Sequence, residues 1–531
     1  MREDALRPLW HVLLKKITPY ALLIVAVFVA YANVYTNAFL YDDNILIVRN
    51  DVLRNWHSIL FYFTQPLSFN SGYYRPFQTL LYVIFFHSAG LSLFAFHFLN
   101  IVLHAANACL VLVLGRELKF SPVACFLAAL IWALHPLQTE AVTYMSATAD
   151  GLSAFFCLMG AVALFPDCSA KRIAIASLWM ICGVLSKESA CAFPLLAASC
   201  LYFQNENRMH VKTYLRLWPL VLVAASYIGL RFVLMPPQIV SMSHEIAVGL
   251  NYAPLSAFMM GLKLLIWPVH LHMGYELPFD GHLWQAKVLV GIAALLLIIT
   301  RVVGYERKEN ITLNWGLFWF TAAYAPSFVV DGFFYEHWLY LPSVGLFLAA
   351  AQSLYVRLQK TSLNKIKQAT CVLASLVVIA MGVLTYRQNE IWADPITFYN
   401  NVFAQGERAP KIHYNLGLIY AARGDTEQAM VQYRMAIQNA DDRFPFSYPH
   451  VNLASALMNL PDGAQHIEEA KSQLQQAIKI DPDCFVAFDD LAVLAEQEGD
   501  TASAALYRAQ SDKIRETLHI TPEIAASLSK G

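Results

Sequence analysis

The sequence predicts an all-α protein in two parts, a polytopic membrane bundle of about 11 spans followed by a water-soluble solenoid of paired helices. Of the 531 residues, 57% are hydrophobic and only 14% are charged, whereas soluble domains carry about 25% charged residues. Long apolar runs fill most of the chain, whose mean hydropathy is +0.45. The net charge of -1 combines a slightly basic apolar part with an acidic C-terminal part. This composition excludes a purely soluble protein, a disordered polymer and a small disulfide scaffold.

The membrane part is predicted from runs of about 20 mostly apolar residues, the length that a helix needs to cross a bilayer. The first run is expected to be a retained span, because it is longer than a signal-peptide core and lacks a small-residue cleavage site. The stretch 254–270 contains Lys263 and two prolines and is expected to be an interfacial or re-entrant helix. The predicted spans are 17–39, 95–118, 121–136, 148–166, 172–186, 190–204, 213–234, 284–303, 312–330, 338–356 and 367–386.

Lysine and arginine residues cluster in alternate loops and thereby predict the orientation. These clusters begin before the first span and recur after the second, fourth, sixth, eighth and tenth spans, so that side is expected to be cytoplasmic. An odd number of spans then places the C-terminal part outside, together with a long first loop over residues 40–94. Within this loop, the apolar segment 75–90 is too short to span and is expected to lie along the membrane surface.

The C-terminal part shows an internal repeat. Leu416-Gly417 opens the first copy, and Leu453 and Leu491 occupy the same place in two further copies. The small and aromatic residues that follow match the tetratricopeptide pattern, in which paired helices stack and bury a continuous core. The sequence therefore predicts a membrane domain at 1–386 and a domain of about three tetratricopeptide repeats at 391–531. Such repeats either bind a protein segment or form a structural cap.

An acidic pair, Asp42 and Asp43, follows the first span on the predicted outer side. One of these carboxylates is a candidate general base for an acceptor hydroxyl, because neighbouring carboxylates raise one another's pKa. Other ionisable residues also gather at the outer ends of nearly uncharged helices, where a functional role is the default hypothesis and a place in the headgroup zone is the alternative. We find no dinucleotide, P-loop or zinc motif and predict no metal site, although a divalent cation on the acidic pair remains open.

Five motifs in order carry a resemblance to a known family. They are Tyr41-Asp42-Asp43, Tyr74-Arg75-Pro76, His135-Pro136 with Thr139-Glu140-Ala141-Val142, Lys187-Glu188, and 339–345, all ahead of the repeats. Nearly the whole chain resembles the transmembrane and tetratricopeptide-repeat O-mannosyltransferases, which are glycosyltransferases of the GT-C fold. The chain departs from the family in having fewer repeats, and in having His337 after Glu336 where the family usually has an arginine.

The resemblance implies an inverting transfer of a sugar, mannose, from a polyprenyl-phosphate or dolichyl-phosphate carrier to serine or threonine hydroxyls of proteins outside the cytoplasm. No cofactor beyond this lipid-linked donor is implied. Asp42 would be the base, and Asp43 would hold the acceptor or share that role. The candidates for offsetting charge on the phosphate leaving group are Arg75, Lys187 and Arg231.

Five further residues are candidates for contact with substrate. His135 and Tyr74 are expected at the sugar or acceptor, while the other three orient loops or pair with the cations; these three are Glu140, Glu188 and Glu336. Three of the candidates have a structural alternative: His135 as a histidine that ends a helix, Tyr74 as part of the interfacial aromatic belt, and Lys187 in an ion pair with Glu188.

Two other functions remain open at this point, a transferase for a glycan or lipid acceptor and a non-enzymatic membrane scaffold. The expected partners are membrane lipids, the lipid-linked sugar and an acceptor protein held by the repeats. Nucleic acid is not an expected partner. The expected location is a bacterial inner membrane with periplasmic repeats, because the one glycosylation sequon, at Asn310, is on the predicted cytoplasmic side. An endoplasmic reticulum membrane with lumenal repeats is the alternative.

Overall fold

The structure is a computed structural model that describes residues 3–56, 62–64, 73–204, 214–234, 253–276, 311–329, 333–406, 410–440, 446–461 and 463–517. Two compact units divide the chain, Met1–Asp394 and Pro395–Gly531. Both are built from helices, so the predicted all-α class is confirmed.

The first unit is a bundle of 13 described α-helices. Several begin at residues suited to a helix start: Ser92 accepts a hydrogen bond from the Ala95 N–H at the start of α3, and a proline opens α2 and α4. The helices are α1 Glu3–Ala30, α2 Pro76–Ala89, α3 Leu93–Glu117, α4 Pro122–Ala133, α5 Thr139–Thr143, α6 Thr148–Ala163, α7 Ala170–Val184, α8 Phe193–Gln204, α9 Trp218–Leu234, α10 Ala253–Ile266, α11 Ile311–Tyr324, α12 Tyr340–Lys360 and α13 Asn364–Ile391.

Short helical turns lie between several of these helices. A π-helical turn covers Asn44–Val48, and 3-10 turns cover Asp51–Arg54, Pro136–Gln138, Met145–Ala147, Glu188–Ala192, Leu215–Leu217, Ala325–Val329 and Glu336–Leu339. Two short strands, β1 Tyr275–Glu276 and β2 Phe333–Phe334, pair antiparallel with Tyr275 opposite Phe334.

Ten of the predicted spans coincide with described helices, and the span at 284–303 lies outside the described residues. The prediction for the first span is wrong at its end: α1 stops at Ala30 instead of continuing to residue 39. Asn33 and Asn37 bind carbonyls of α13, at Tyr386 and Asn389, and thereby hold the chain in turns. The segment 254–270 contains the 14-residue helix α10, which leaves its interfacial placement a prediction.

Among the described residues, five helical segments are long and apolar enough to cross a membrane. They are Leu93–Glu117, Met145–Ala163, Leu215–Leu234, Glu336–Lys360 and Asn364–Ile391. A sixth crossing results if Pro122–Ala133 and Pro136–Thr143, which meet at an angle of 55°, count as one span.

A close crossing of α11 and α12 organises the centre of the bundle. A Cβ on Gly345 would lie 2.6 Å from Cβ of Trp319, so only glycine permits this approach. Beside it, the Tyr340 hydroxyl lies 2.7 Å from Nδ1 of His104, and Ser343 accepts a hydrogen bond from the Trp132 indole. The conspicuous motif at 339–345 is therefore explained by packing and buried hydrogen bonds.

The second unit consists of seven α-helices within the described residues, and the last six of these pack as three consecutive pairs. The helices are α14 Pro395–Ala404, α15 Pro410–Ala422, α16 Thr426–Asn439, α17 Tyr448–Met458, α18 Ile467–Ile480, α19 Phe485–Gln497 and α20 Thr501–Thr517, with a 3-10 turn at Gly463–Gln465. Gly417 lets the ring of Tyr433 approach to 2.5 Å from where a Cβ would stand. The predicted repeat solenoid is confirmed in this unit.

Candidate active site

The acidic pair lies between α1 and the π-helical turn, in a backbone that is locally strained. Tyr41, directly before the pair, has a φ of 47°, which is rare for a residue with a side chain and is found most often at functional sites. Asp43 is 1% exposed. Its Oδ1 accepts hydrogen bonds from the N–H and hydroxyl of Ser146, at 2.7 and 2.5 Å, and its Oδ2 accepts one from the Leu40 N–H at 3.0 Å.

Burial and these hydrogen bonds have opposite effects on the pKa of Asp43. Burial raises the pKa of Asp43 to about 7, although the donors from Leu40 and Ser146 favour the ionised carboxylate. Asp42 is half-buried, and its backbone N–H donates to the Tyr144 hydroxyl at 3.0 Å. The two acids therefore have different environments, with Asp42 the more accessible of the pair.

The turn at Met145–Ala147 connects the acidic pair to α2. The Ser146 carbonyl accepts a hydrogen bond from Nε2 of Gln78 at 2.8 Å, and the Met145 carbonyl accepts one from the Tyr82 hydroxyl at 2.8 Å. Gln78 and Tyr82 lie in the first two turns of α2, directly after Arg75. This arrangement places Arg75 and Asp43 close enough that both charges act on Tyr82.

Arg75 and Glu188 form a two-point ion pair. Nε and Nη2 of Arg75 donate to the two carboxylate oxygens of Glu188, at 3.1 and 2.6 Å, and the guanidinium lies 4.3 Å from the centroid of the Tyr73 ring. Burial alone would raise the pKa of Glu188, but the charges of Arg75 and Lys187 hold that pKa at about 2. Glu188 is therefore ionised at neutral pH.

Lys187 pairs with Asp150 at the start of α6, and not with the adjacent Glu188 as its structural alternative had it. The Lys187 Nζ lies 2.7 Å from both carboxylate oxygens of Asp150, and both side chains are about nine-tenths buried. The backbone explains the difference, because Lys187 is extended and successive side chains in an extended chain point to opposite sides. Since Asp150 also acts electrostatically on Arg75, the two ion pairs form one cluster of four charges.

Arg231 and Tyr74 lie beside this four-charge cluster. Arg231 is in the last turn of α9, where its charge, like those of Arg75 and Glu188, acts on the Tyr227 hydroxyl. That hydroxyl donates to the Tyr74 carbonyl at 3.1 Å, and the Tyr74 hydroxyl donates to the Phe63 carbonyl at 2.8 Å. Tyr74 is 2% exposed, which favours a structural role over stacking on a sugar.

A second buried cluster is rich in carboxyl groups. Glu140 in α5 accepts hydrogen bonds from Nδ1 of His337 at 3.0 Å and from the His337 N–H at 3.2 Å. Glu336 accepts from the Tyr275 hydroxyl at 2.6 Å and from the His272 N–H at 3.0 Å. The charges of Glu140 and Glu336 act on each other. His337, the departure from the family pattern, is thus a direct partner of Glu140.

His135 is held by both of its ring nitrogens. Nδ1 accepts a hydrogen bond from the Leu137 N–H at 3.3 Å, and Nε2 lies 3.2 Å from the carbonyl of Leu265 in α10. Because a carbonyl can only accept, Nε2 carries the proton. With 2% exposure, His135 anchors a turn, which favours its structural alternative over contact with a sugar or acceptor.

The structure adds residues that the sequence alone did not single out as site residues. Ser146, Tyr144 and Gln78 hold the acidic pair, while Asp150 neutralises Lys187. In the sequence, Gln78 and Ser146 could have been noticed only as polar residues within apolar segments. Over the described residues, no group of three or more histidine, cysteine, aspartate or glutamate side chains is arranged to hold a metal ion.

Comparisons with known proteins support the resemblance. Residues 410–442 match the family model "Tetratricopeptide repeat". A protein O-mannosyl-transferase of Caenorhabditis elegans is 25% identical over an alignment of 426 residues that covers 75% of this chain and 59% of the relative. Protein O-mannosyl-transferase TMTC1 of Homo sapiens is 23% identical over an alignment of 524 residues that covers 85% of this chain and 57% of the relative. The chain is thus similar in sequence to these O-mannosyltransferases.

The chain spans less than two thirds of the length of these two relatives. A shorter match, protein O-mannosyl-transferase TMTC4 of Homo sapiens, is 32% identical over 28% of this chain and 24% of the relative. Among solved structures, an oligosaccharyltransferase of Archaeoglobus fulgidus aligns with a TM-score of 0.41 and 14% identity, over 71% of this chain and 55% of that one. The apolar helices and the relatives together identify an integral membrane protein.

Proposed function

We propose that this protein is an inverting glycosyltransferase that moves mannose from a polyprenyl-phosphate carrier to serine or threonine hydroxyls of proteins, on the non-cytoplasmic side of the membrane. The observation that carries the proposal is the acidic pair, whose two carboxylates differ in burial and in hydrogen bonding. Asp43 is buried and fixed by three donors, whereas Asp42 is accessible beside it. The names of the relatives supply the sugar and the protein acceptor.

In the proposed reaction, Asp42 accepts the proton of the acceptor hydroxyl as its oxygen attacks the anomeric carbon. The bond between that carbon and the phosphate oxygen breaks, the configuration inverts, and polyprenyl phosphate leaves with the electron pair. Negative charge then builds on the phosphate, and cations nearby stabilise it. Arg75, Lys187 and Arg231 are the proposed cations, with Arg75 linked to the acidic pair through α2.

The four-charge cluster can contribute in two ways. Arg75 has five N–H donors and gives those of Nε and Nη2 to Glu188, so the same guanidinium can also face a phosphate. Lys187 is more fully enclosed by Asp150, with 8% of its side chain exposed. We therefore assign the main phosphate contact to Arg75 and an orienting role to Lys187. Glu188 would hold the guanidinium plane in place.

The repeats are proposed to present the acceptor protein to the membrane unit. Peptide binding by stacked helix pairs is the usual use of such a solenoid. In this proposal the repeats are periplasmic in a bacterial inner membrane, or lumenal if the membrane is that of the endoplasmic reticulum. Glu140 and Glu336 would order the loops around the substrates through their contacts to His337 and Tyr275.

The test is mannose transfer by the full-length protein, purified in detergent, with polyprenyl-phosphate mannose and a serine- and threonine-rich acceptor protein. Asp42→Asn should lower kcat by at least about 100-fold, the usual contribution of a general base. Asp167→Asn is the matched control, because Asp167 is an exposed acid paired with Arg172. Full activity of Asp42→Asn would refute the proposal, and transfer to lipid or glycan alone would assign a different acceptor.

A further inference from the structure

The 3-10 turn at Met145–Ala147 contacts both the acidic pair and α2, the helix that follows Arg75. Ser146 is the central residue of this turn. We propose that Ser146 is a positioning residue, which fixes the Asp43 carboxylate turned away from the acceptor and ties the acidic pair to the helix that follows Arg75. This inference rests on the proposed function, which it deepens.

The hydrogen bonds of Asp43 show why it does not act on the acceptor itself. Two donors from Ser146 occupy Oδ1, and the Leu40 N–H occupies Oδ2. A carboxylate that is 1% exposed and accepts three hydrogen bonds cannot turn towards a substrate without breaking them. Its remaining effect on Asp42 is electrostatic, since an adjacent negative charge favours proton uptake by its neighbour.

Together with the Leu40 N–H, Ser146 makes this buried charge tolerable, because it supplies two of the three donors. Burial of an ionised carboxylate is costly unless donors surround it. The titratable groups that face Asp43 are Asp42 on the same loop, Tyr144 beside the 3-10 turn and Tyr82 on α2. Within the described part of the chain, no lysine or arginine forms an ion pair with Asp43. The Ser146 hydroxyl, at 2.5 Å, is therefore a principal donor that favours ionisation.

The same turn reaches α2 by two further hydrogen bonds. The Ser146 carbonyl accepts from Gln78, and the neighbouring Met145 carbonyl accepts from Tyr82. Gln78 also donates to the Tyr82 hydroxyl at 2.8 Å, so the two α2 side chains are locked to each other. Because Arg75 immediately precedes α2, a change in the turn alters the distance between the base and the cation. Positioning errors of this kind reduce the rate of the chemical step more than ground-state binding.

The first test compares pH–rate profiles of Ser146→Ala and the wild type. Removing a donor to the ionised form raises the pKa of Asp43, so the midpoint of the rise in kcat on the acid side should move up by about one pH unit. At neutral pH, kcat should fall about tenfold, with KM for polyprenyl-phosphate mannose within about twofold of the wild type. Ser146→Thr keeps the hydroxyl and should restore at least half of the lost kcat.

Ser199→Ala is the matched control. Ser199 is also buried, but its hydroxyl donates to the Leu196 carbonyl of its own helix, so the substitution should leave the profile unchanged. A second measurement follows the carboxyl band of Asp43 by infrared difference spectroscopy, with Asp43→Asn as the subtraction reference. The midpoint of that band should shift upwards in Ser146→Ala in parallel with the kinetic midpoint.

Two results would overturn the inference: an unchanged infrared midpoint in Ser146→Ala, or a rise in KM with kcat unaffected. If the wild type transfers no sugar from any lipid-linked donor, the proposed function fails. In that case the infrared titration alone decides whether Ser146 favours the ionised form of Asp43. The failure of the function and the failure of the inference are thus distinguishable.

Discussion

Glu188 and Asp43 are both acids in enclosed sites within the same unit, yet their surroundings shift their pKa values in opposite directions. Arg75 and Lys187 hold the pKa of Glu188 at about 2, whereas burial raises the pKa of Asp43 to about 7. Asp43 has hydrogen-bond donors but no paired cation among the described residues. Two cations favour the ionised form of Glu188, whereas Asp43 has only neutral donors and is also more deeply buried, with 1% exposed against 29% of the Glu188 side chain. The two acids therefore behave differently: Glu188 carries a fixed negative charge near neutral pH, whereas the charge of Asp43 changes with pH.

Breaking an ion pair in the four-charge cluster should have the largest effect on stability. Lys187→Met leaves Asp150 buried without its partner and should lower the free energy of unfolding by about 3–5 kcal/mol, measured by denaturant unfolding in detergent. The double variant Lys187→Met with Asp150→Asn should recover most of this loss. Lys471→Met, at the exposed pair with Glu498, is the control and should cost less than about 1 kcal/mol. Equal losses at the two lysines would show that burial does not distinguish the pairs.

The pH dependence of stability should distinguish the two acids. The folded-state pKa of Asp43 is raised above its unfolded value, so the folded state binds the extra proton and stability falls as pH rises from about 4 to about 7. The loss over that window should be on the order of 3 kcal/mol. The pKa of Glu188 is lowered instead, and its contribution is present above about pH 4 and is lost as pH falls towards 2.

Thermal unfolding in detergent between pH 4 and pH 8 provides the measurement. Asp43→Asn should flatten the dependence in the upper part of this range, while Glu188→Gln should lower stability without changing the slope there. An unchanged slope in Asp43→Asn would mean that Asp43 does not titrate near neutrality.

Much of the fold was predictable because its causes are local. Apolar runs and repeated small residues set most helices, and the acidic pair was evident from its place after the first span. The end of α1 was not predictable, because Asn33 and Asn37 bind residues more than 350 positions away. The partner of Lys187 was missed for the same reason, since Asp150 is distant in sequence and Glu188 adjacent. Long-range hydrogen bonds leave no periodic pattern in the chain.

The smallest effect is expected in the second buried cluster, where Glu140 has a histidine instead of a lysine or arginine. Substitution of His337 by phenylalanine, His337→Phe, removes the donor at Glu140 Oε1 but keeps the backbone N–H at Oε2. The cost should be about 1–2 kcal/mol, below that of Lys187→Met, because one hydrogen bond is lost and no strong ion pair is broken. His337→Gln can still donate and should cost less than half as much in the same unfolding assay. If His337→Phe is instead as costly as Lys187→Met, the Glu140–His337 contact is a full ion pair. Glu140 would then belong with Glu188, as an acid paired with a cation, and not with Asp43, which has neutral donors.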